Sequence, residues 1–359
     1  MRICSLMALS LPVALLAEPP SGEAVEAKTG ILLQPQFESV GDPVLDGQSQ
    51  NLFLRRANFM GAATLGSKLD LTLTLSATDF GKATENGTKK STVTVLDAFG
   101  TYRFADNLFL DAGWLRVPWS HNGLQTVSSL LGQDYSPYSY AQQLPSMGNP
   151  SGRDGGIQGR GFFFENVLDV RLGVFQGRRL PATPDRPAAR NALRTAARVQ
   201  ANLLDPETSH FYRGSYFGAK RVLSFGVAHD RQDEYRATTA DGFLDLPFGG
   251  DTLTVQASHY WYDGGAFLDL PKQKDVSLEA SWTFGGPRLS PVARYESRRL
   301  DGPATSANWD ESRYSLGLAW WIDGFKNNVK AFYTRIRPES APGRHAYHQV
   351  NVQWQLYAF

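Results

Sequence analysis

Apolar and polar side chains alternate along much of the chain. In KLDLTLTLSATD, residues 68–79, every second position from Leu69 to Ala77 is apolar, and the positions between them are Asp, Thr or Ser. Successive side chains of an extended chain point to opposite faces, so this stretch is predicted to be a strand with one apolar and one polar face. Similar alternation recurs in the segments 96–104, 194–203, 276–284 and 313–322.

Patterned segments of this kind cover most of the chain. About fifteen strands are predicted, near residues 29–38, 51–65, 67–78, 93–104, 107–116, 154–164, 168–176, 194–203, 219–230, 251–261, 276–284, 288–299, 310–322, 325–336 and 347–358. Bacterial single-chain membrane barrels have even strand numbers. We therefore place a sixteenth strand in the weakly patterned segment between Tyr235 and Phe248.

The breaks between these strands come in two sizes. Short breaks such as Gly66-Ser67 and Asp323-Gly324 contrast with polar breaks such as 81–91 and 178–191. Short turns at one end and long loops at the other are typical of outer-membrane barrels. By far the longest break runs from Val117 to Gly152, and connections of that length are usually functional or disordered. Within it, the segment 124–132 is predicted to form a short helix.

The apolar faces are predicted to contact lipid. Aromatic residues occur at strand ends, as the interfacial girdles of a membrane barrel require. They are Phe104, Trp114, Trp119, Trp261, Trp282, Phe284, Trp320, Trp321, Phe332 and Tyr333. The chain also ends in Phe359 after the alternating Val350, Val352, Trp354 and Leu356, which resembles the C-terminal signal read by the barrel-assembly machinery.

The N-terminus and the composition agree with export. MRICSLMALSLPVALLAEPP has a basic Arg2, an apolar run and a small residue at Ala17, which predicts a signal peptide over residues 1–17. A short segment, 18–28, would then precede a barrel domain over 29–359. The only cysteine, Cys4, lies in the signal, so neither a disulfide framework nor a cysteine metal site is expected. A net charge of +1 gives no support for nucleic-acid binding.

The sequence resembles the phosphate-selective porins O and P of Gram-negative outer membranes. The resemblance lies in FLRRANFMGAATLGSKLDLTL (53–73), LDAFGTYRFADNLFLDAGWLRVPW (96–119) and RDGGIQGRGFFFENVLDVRLGVFQGR (153–178), with weaker matches at 220–235 and 253–265. It implies a sixteen-stranded transmembrane antiparallel β-barrel, a homotrimer, and a third extracellular loop folded inward, which residues 117–153 would provide. His121, Asp134 and Arg153 are the ionisable candidates of this constriction loop. It has no Lys or Arg before Arg153, which argues against the family's phosphate specificity.

The predicted pore lining consists of the polar residues at alternate positions of each strand, since these positions share the face opposite the lipid. The basic candidates are Arg103, Arg171, Arg194, Arg198, Arg294, Arg298, Arg313 and Lys330, and the acidic ones are Asp70, Asp97, Asp111, Glu279 and Glu296. Eight cations against five anions would mildly favour anions. Of Arg55 and Arg56, parity allows one inward residue, and we assign Arg56. The alternative for Arg294, Glu296 and Arg298 is that they pair with one another and stiffen the wall.

No catalytic, cofactor or metal motif stands out. The histidines are scattered, and no G-x-S-x-G, phosphate loop or H-E-x-x-H occurs. We therefore predict a non-enzymatic outer-membrane porin for small hydrophilic solutes, surrounded by lipid and lipopolysaccharide. A non-conducting structural or adhesive barrel is the first alternative, and an outer-membrane hydrolase the second.

Overall fold

The chain forms one closed barrel of sixteen antiparallel strands. The structure, a computed structural model, describes residues 25–45, 47–84, 87–139, 152–184, 188–305 and 308–359. Each strand pairs with its neighbours in sequence, and β1 closes the barrel against β16. The strands are β1 Val25–Gly41, β2 Gln48–Leu65, β3 Leu69–Phe80, β4 Val93–Ala105, β5 Leu108–Arg116, β6 Arg153–Phe163, β7 Leu168–Phe175, β8 Arg194–Asn202, β9 Val222–Gln232, β10 Tyr235–Phe248, β11 Asp251–Asp263, β12 Gln273–Thr283, β13 Leu289–Leu300, β14 Glu311–Asp323, β15 Asn327–Pro338 and β16 Tyr347–Ala358.

The predicted sixteen-stranded fold is confirmed, including the strand expected over 235–248. The first strand is longer than predicted, since it begins at Val25 and takes in part of the predicted segment 18–28. The predicted signal peptide, residues 1–17, lies outside the described residues. None of the helices among the described residues is long and apolar enough to span a bilayer.

The alternation places apolar side chains outside and polar side chains inside. In β3, Leu71 and Leu73 are 41% and 42% exposed, whereas Thr74 and Ser76 are buried. The same separation holds in β14, where Leu316 is 68% exposed. Because a pleated strand turns successive side chains to opposite faces, these leucines form part of an apolar outer band.

The two ends of the barrel differ as predicted, with two exceptions. One end, here called the turn end, carries the start of β1, the end of β16 and short turns such as 66–68 and 249–250. The other, the long-loop end, carries the long connections. At the long-loop end, β9 and β10 are joined only by Asp233 and Glu234, with Asp233 at φ 55°, as tight two-residue hairpins require. At the turn end, β8 and β9 are joined by the long segment 203–221, here called the β8–β9 segment.

The predicted aromatic girdle is only partly correct. Phe104, Trp320 and Tyr333 are 58%, 51% and 46% exposed on the outer face. In contrast, Trp321 and Phe332 are buried on the opposite parity, inside the barrel. A third residue, Trp119, lies in the loop after β5 and is fully buried. The presence of an aromatic residue at a strand end does not show whether it faces lipid or the lumen, whereas its odd or even position in the alternating pattern of the strand does.

The loop between β5 and β6, residues 117–152, is here called the third loop, and its described part, 117–139, folds into the lumen. The predicted helix over 124–132 is wrong. A short helix, α1, spans His121–Leu124, and a 3-10 turn spans Val127–Ser129. Helix α1 begins where Ser120 Oγ accepts a hydrogen bond from the Gly123 N–H at 3.0 Å. It ends at Gln125, whose backbone is extended.

Candidate functional site: the lumen and its third loop

The third loop is attached to the wall first through Arg116, at the end of β5. One terminal nitrogen of Arg116 donates to the carbonyls of Gly123 and Gln125 at 2.9 and 2.6 Å, and the other donates to the Tyr135 hydroxyl at 2.9 Å. Tyr135 donates in turn to the Gln125 carbonyl at 2.7 Å. These bonds satisfy the carbonyls of Gly123 and Gln125 at the end of α1, which have no partner within the helix. Sequence reasoning missed Arg116.

A second attachment joins Asp134 of the loop to Arg55 and Arg56. Arg55 Nε donates to one Asp134 oxygen at 2.8 Å and Arg56 Nη2 donates to the other. Burial would raise the pKa of Asp134, but the two guanidinium groups outweigh it and hold that pKa below its usual range. Asp134 therefore stays ionised and bound at neutral pH.

The prediction that only one of these two arginines faces inward is wrong. The pairing of β2 with β1 passes from Leu54 to Arg56, opposite Pro35 and Gln34, and leaves Arg55 as an extra residue. Such a bulge turns two successive side chains to one face. Arg55 Nη1 donates to Asp79 Oδ1 at 2.9 Å, and Asp79, which lies opposite Arg55 on β3, has φ 55°.

A third attachment lies three strands away from β2 around the barrel, at Lys330 of β15. Its ammonium group donates to the carbonyls of Leu130 and Gly132. Beside it, the Gln133 side chain donates to the carbonyls of Lys330 and Asn351 at 3.0 and 3.2 Å. Residues 130–134 of the loop are therefore bound to β2 and to β15, on one side of the lumen.

The β8–β9 segment also enters the lumen and meets the third loop. The Tyr212 N–H donates to the Leu124 carbonyl at 3.1 Å, and the Thr126 N–H donates to the Tyr212 carbonyl at 3.0 Å. His121 stacks between the rings of Tyr212 and Phe243, with centroids 4.7 and 4.1 Å away. Two segments that enter from opposite ends thus form one packed body. The unusual length of the break at 203–221 was the available sequence signal.

His121 and His210 hold these inner segments rather than a ligand. His121 Nε2 lies 2.9 Å from Glu207 Oε2, and both side chains are buried. His210 stacks on Phe99 at 4.6 Å, and its Nδ1 is 3.5 Å from an Asp111 oxygen. Burial, together with the nearby Arg160, lowers the pKa of His210 to about 4, so its ring is neutral at pH 7.

Most predicted lining arginines on one side of the barrel are buried in ion pairs. Their partners are carboxylates on the same strand or on a strand one or two places away, mostly ones that sequence reasoning had not singled out. The pairs are Arg153–Asp97 at 3.1 Å, Arg171–Asp169 at 2.9 Å, Arg194–Asp230 at 2.7 Å and Arg198–Asp241 at 2.7 Å. Arg153, placed in the constriction loop from the sequence, is the first residue of β6.

Two of these arginines also hold the inner segments through backbone carbonyls. Arg198 donates to the Trp119 carbonyl at 2.6 Å, and Arg171 donates to the His210 carbonyl at 2.7 Å. Each therefore joins the wall to one of the two segments that fill this side of the lumen.

The other predicted candidates lie around β12 to β14 or at the rim. Arg294 binds Glu279 and the Asp134 carbonyl, and Arg313 Nε donates to Glu311 at 2.7 Å. Arg298 donates to the Trp309 carbonyl at 2.8 Å. Arg103 is 43% exposed at the turn end and pairs with Asp70 at 3.3 Å. The structure thus brings the interior arginines together mainly with carboxylates and loop carbonyls.

Open space remains on the side of β1–β3 and β13–β16. A cavity of about 270 Å³, here called the upper cavity, lies between these strands and residues 133–137 of the third loop. Four basic and four acidic side chains line it: Arg55, Lys82, Arg294 and Arg313, and Glu38, Asp79, Asp134 and Glu296. Its lining is therefore formally neutral.

A second cavity of about 390 Å³, the lower cavity, lies at the turn end and is lined by Phe217, Thr252, Arg288 and Trp321, among others. No described residue lines both cavities. A packed layer of Leu131, Ala319 and Trp321 with Phe217 and Phe325 borders the lower cavity. Along β14, Arg313 and Ser315 line the upper cavity, Ala319 and Trp321 follow in the layer, and Trp321 lines the lower cavity, so this layer lies between the two spaces.

Metal binding gains no geometric support in the part of the chain that the structure describes. No three His, Cys, Asp or Glu side chains there are arranged to bind a metal ion. His348, one of the two closely spaced histidines near the C-terminus, contacts the Tyr333 hydroxyl on the exposed outer face.

Known proteins resemble this chain in structure rather than in sequence. No protein-family model and no curated protein matches the sequence. The anion-selective porin from Comamonas acidovorans superposes with a TM-score of 0.58 at 11% identity, covering 93% of this chain and 100% of that one. OprB of Pseudomonas putida gives 0.62 at 8% identity, with 92% and 94% covered. The outer membrane protein opdK of Pseudomonas aeruginosa gives 0.51 at 13%, with 93% and 99% covered. These likenesses show a shared barrel fold.

Proposed function

We propose that this protein is an outer-membrane porin of a Gram-negative bacterium, a passive channel for small hydrophilic solutes. The observation that carries the proposal is the combination of a closed barrel, an apolar exterior and a polar interior crossed by an inward-folded third loop. A protein named as an anion-selective porin shares that barrel. A signal peptide over residues 1–17 would export the chain, and Phe359 would engage the assembly machinery.

The proposed preference for anions is weak. One structural neighbour is named an anion-selective porin. In this chain, however, the upper cavity carries as many acidic as basic side chains, and most interior arginines are paired. A paired charge contributes little to the field that an ion meets in the lumen. The proposal of phosphate specificity is weak as well, because the described part of the third loop contains no Lys or Arg.

The experiment is single-channel recording of the refolded protein in a planar bilayer. Stepwise conductance is expected, with a reversal potential only slightly on the anion side under a salt gradient. A silent bilayer containing folded protein would contradict the porin. Adding phosphate tests the resemblance to the phosphate-selective porins, since only a phosphate-selective channel is expected to have its current blocked by phosphate at low concentration.

A non-conducting barrel is the second candidate, and one observation favours it. The layer of Leu131, Ala319 and Trp321 with Phe217 and Phe325 lies between the upper and lower cavities. A barrel that never opens this layer would be structural or adhesive. The recording distinguishes the two candidates, because only the porin produces current.

We also propose a homotrimer embedded in lipid and lipopolysaccharide. Small side chains on the outer face of β1–β5, among them Gly61, Ala63, Ala98 and Ala112, line a shallow outer groove where another barrel would pack closely. Chemical crosslinking of the folded protein in membranes is expected to give a ladder that ends at three chains. A single monomer band would contradict this assembly.

A further inference from the structure

The upper cavity contains one buried carboxylate oxygen without a partner. Glu296 of β13 lines the cavity, its side chain is 4% exposed, and its Oε1 accepts no hydrogen bond from any described residue. The nearest basic group, Arg294 Nη1, is 3.9 Å away, which is too far for a hydrogen bond. A buried carboxylate oxygen without a hydrogen-bond donor is costly, so a donor from a solute would be favourable there.

A basic side chain that can still donate hydrogen bonds lies next to this carboxylate. Arg313 of β14 is the cross-strand partner of Glu296, which brings their side chains close together on one face. Its Nε is bound to Glu311, yet the side chain is 24% exposed and lines the same cavity. Its other guanidinium nitrogens can therefore meet a carboxylate in the cavity.

The remaining charged groups of the cavity are occupied. Lys82 donates to Glu38 at 2.5 Å, and Gln349 donates to the other Glu38 oxygen at 3.3 Å. Arg55 is shared between Asp79 and Asp134. The groups left to form hydrogen bonds with a solute are therefore one acceptor oxygen on Glu296 and, beside it, the donor nitrogens of Arg313.

We propose that the upper cavity binds small zwitterions of the α-amino-acid type, with the ammonium group on Glu296 and the carboxylate on Arg313. A simple anion placed there would face Glu296, and a simple amine would face Arg294 and Arg313, whereas a zwitterion satisfies both. The volume of about 270 Å³ suits a small solute. The inference rests on the proposed channel, since a solute must enter the lumen from the long-loop end to reach this cavity.

Three solutes with the same reporter group test the proposal. L-Alanine, L-lactate and ethylamine each carry one methyl group, so saturation-transfer NMR on the detergent-solubilised protein reads the same signal in each. Lactate replaces the ammonium group by a hydroxyl, and ethylamine lacks the carboxylate. Alanine is expected to bind about tenfold more tightly than either, the ratio that one charge-assisted hydrogen bond supplies. Equal affinities for the three, or no alanine binding at all, would overturn the proposal.

Variants assign the two ends of the solute. Glu296→Gln should weaken alanine about tenfold and leave lactate unchanged, while Arg313→Gln should weaken both. The matched control is Glu38→Gln, the same substitution in the same cavity at a carboxylate already bound by Lys82. Folding of each variant is checked by the heat-dependent shift of the barrel on an SDS gel. An equal loss of alanine binding in the Glu38 and Glu296 variants would refute the assignment.

Bilayer recordings separate this inference from the proposed function. Conductance without selective alanine binding would leave the porin standing and remove the zwitterion site. Folded protein that binds alanine selectively but never conducts would remove the porin, while the assignment of the ligand groups would stand.

Discussion

Trp320 and Trp321 provide a direct test of the packed layer that lies between the two cavities. They are adjacent in β14 but face opposite sides, with Trp320 51% exposed on the outer face and Trp321 2% exposed inside. The Trp321 ring lies 5.0 Å from Phe217 and 5.7 Å from Phe325, and its Nε1 donates to Ser290 Oγ at 2.7 Å. Trp321→Ala therefore removes the centre of the layer, whereas Trp320→Ala leaves the lumen unchanged.

The expected effect follows from the cost of emptying a packed site. Replacing a buried Trp by Ala costs roughly 3–5 kcal/mol. If this energy holds the layer closed, its loss shifts the balance between closed and open layers by roughly 10²- to 4 × 10³-fold, since each 1.4 kcal/mol is a factor of ten. Trp321→Ala channels should then stay open with higher conductance, and the two cavities should join.

The assay is single-channel recording of both variants and the parent under identical conditions. Conductance and the fraction of time spent closed are compared, with the Trp320 variant as the control for insertion and folding. If the Trp321 and Trp320 variants conducted alike, the layer would not limit permeation and the reasoning would be wrong.

Three further predictions concern the attachments of the inner segments. Lys330→Met removes two charged hydrogen bonds worth roughly 1.5–3 kcal/mol each, before the cost of burying the ammonium group is counted. Protease should therefore cut the third loop of this variant faster than that of the parent. The control, Lys326→Met at an exposed turn, should leave the cleavage rate unchanged. Asp134→Asn should weaken the attachment of the third loop by roughly 2 kcal/mol. In the parent, the two arginines lower the pKa of the Asp134 carboxylate, so protection of the loop from protease should persist at pH 5. This protection should be lost only as the pH falls through that lowered pKa. The pKa of His210 is lowered to about 4, against about 6.5 for a free side chain, so the β8–β9 segment is held most firmly above pH 6.5 and less firmly as the pH falls toward 4. His210→Phe should abolish this pH dependence when proteolysis of the segment is followed at a series of pH values. A variant with the same pH profile as the parent would contradict the prediction.

Sequence reasoning was most successful where structure depends on local periodicity. The two-residue alternation in 68–79 correctly predicted which face of β3 is apolar, and parity placed Arg194, Arg198 and Lys330 inside the barrel. Even the weakly patterned strand over 235–248 was located, because a closed barrel of this class needs an even number of strands.

It failed where contacts join residues far apart in the chain. Asp230 and Asp241 lie more than 30 positions from the arginines that they bind, so counting charges overstated the free positive charge of the lumen. The path of the β8–β9 segment into the lumen likewise depends on contacts of Tyr212 with Leu124 and Thr126.

The sequence by itself therefore determined the strands, their faces and the closed barrel, because alternation and turn residues act over a few neighbouring positions. Only the tertiary structure decided which interior charges remain unpaired, since that depends on register and on the bulge that turns both Arg55 and Arg56 inward. It also decided where the lumen stays open. Two segments far apart in sequence pack against one side of the wall, and the unpaired oxygen of Glu296 remains on the other side.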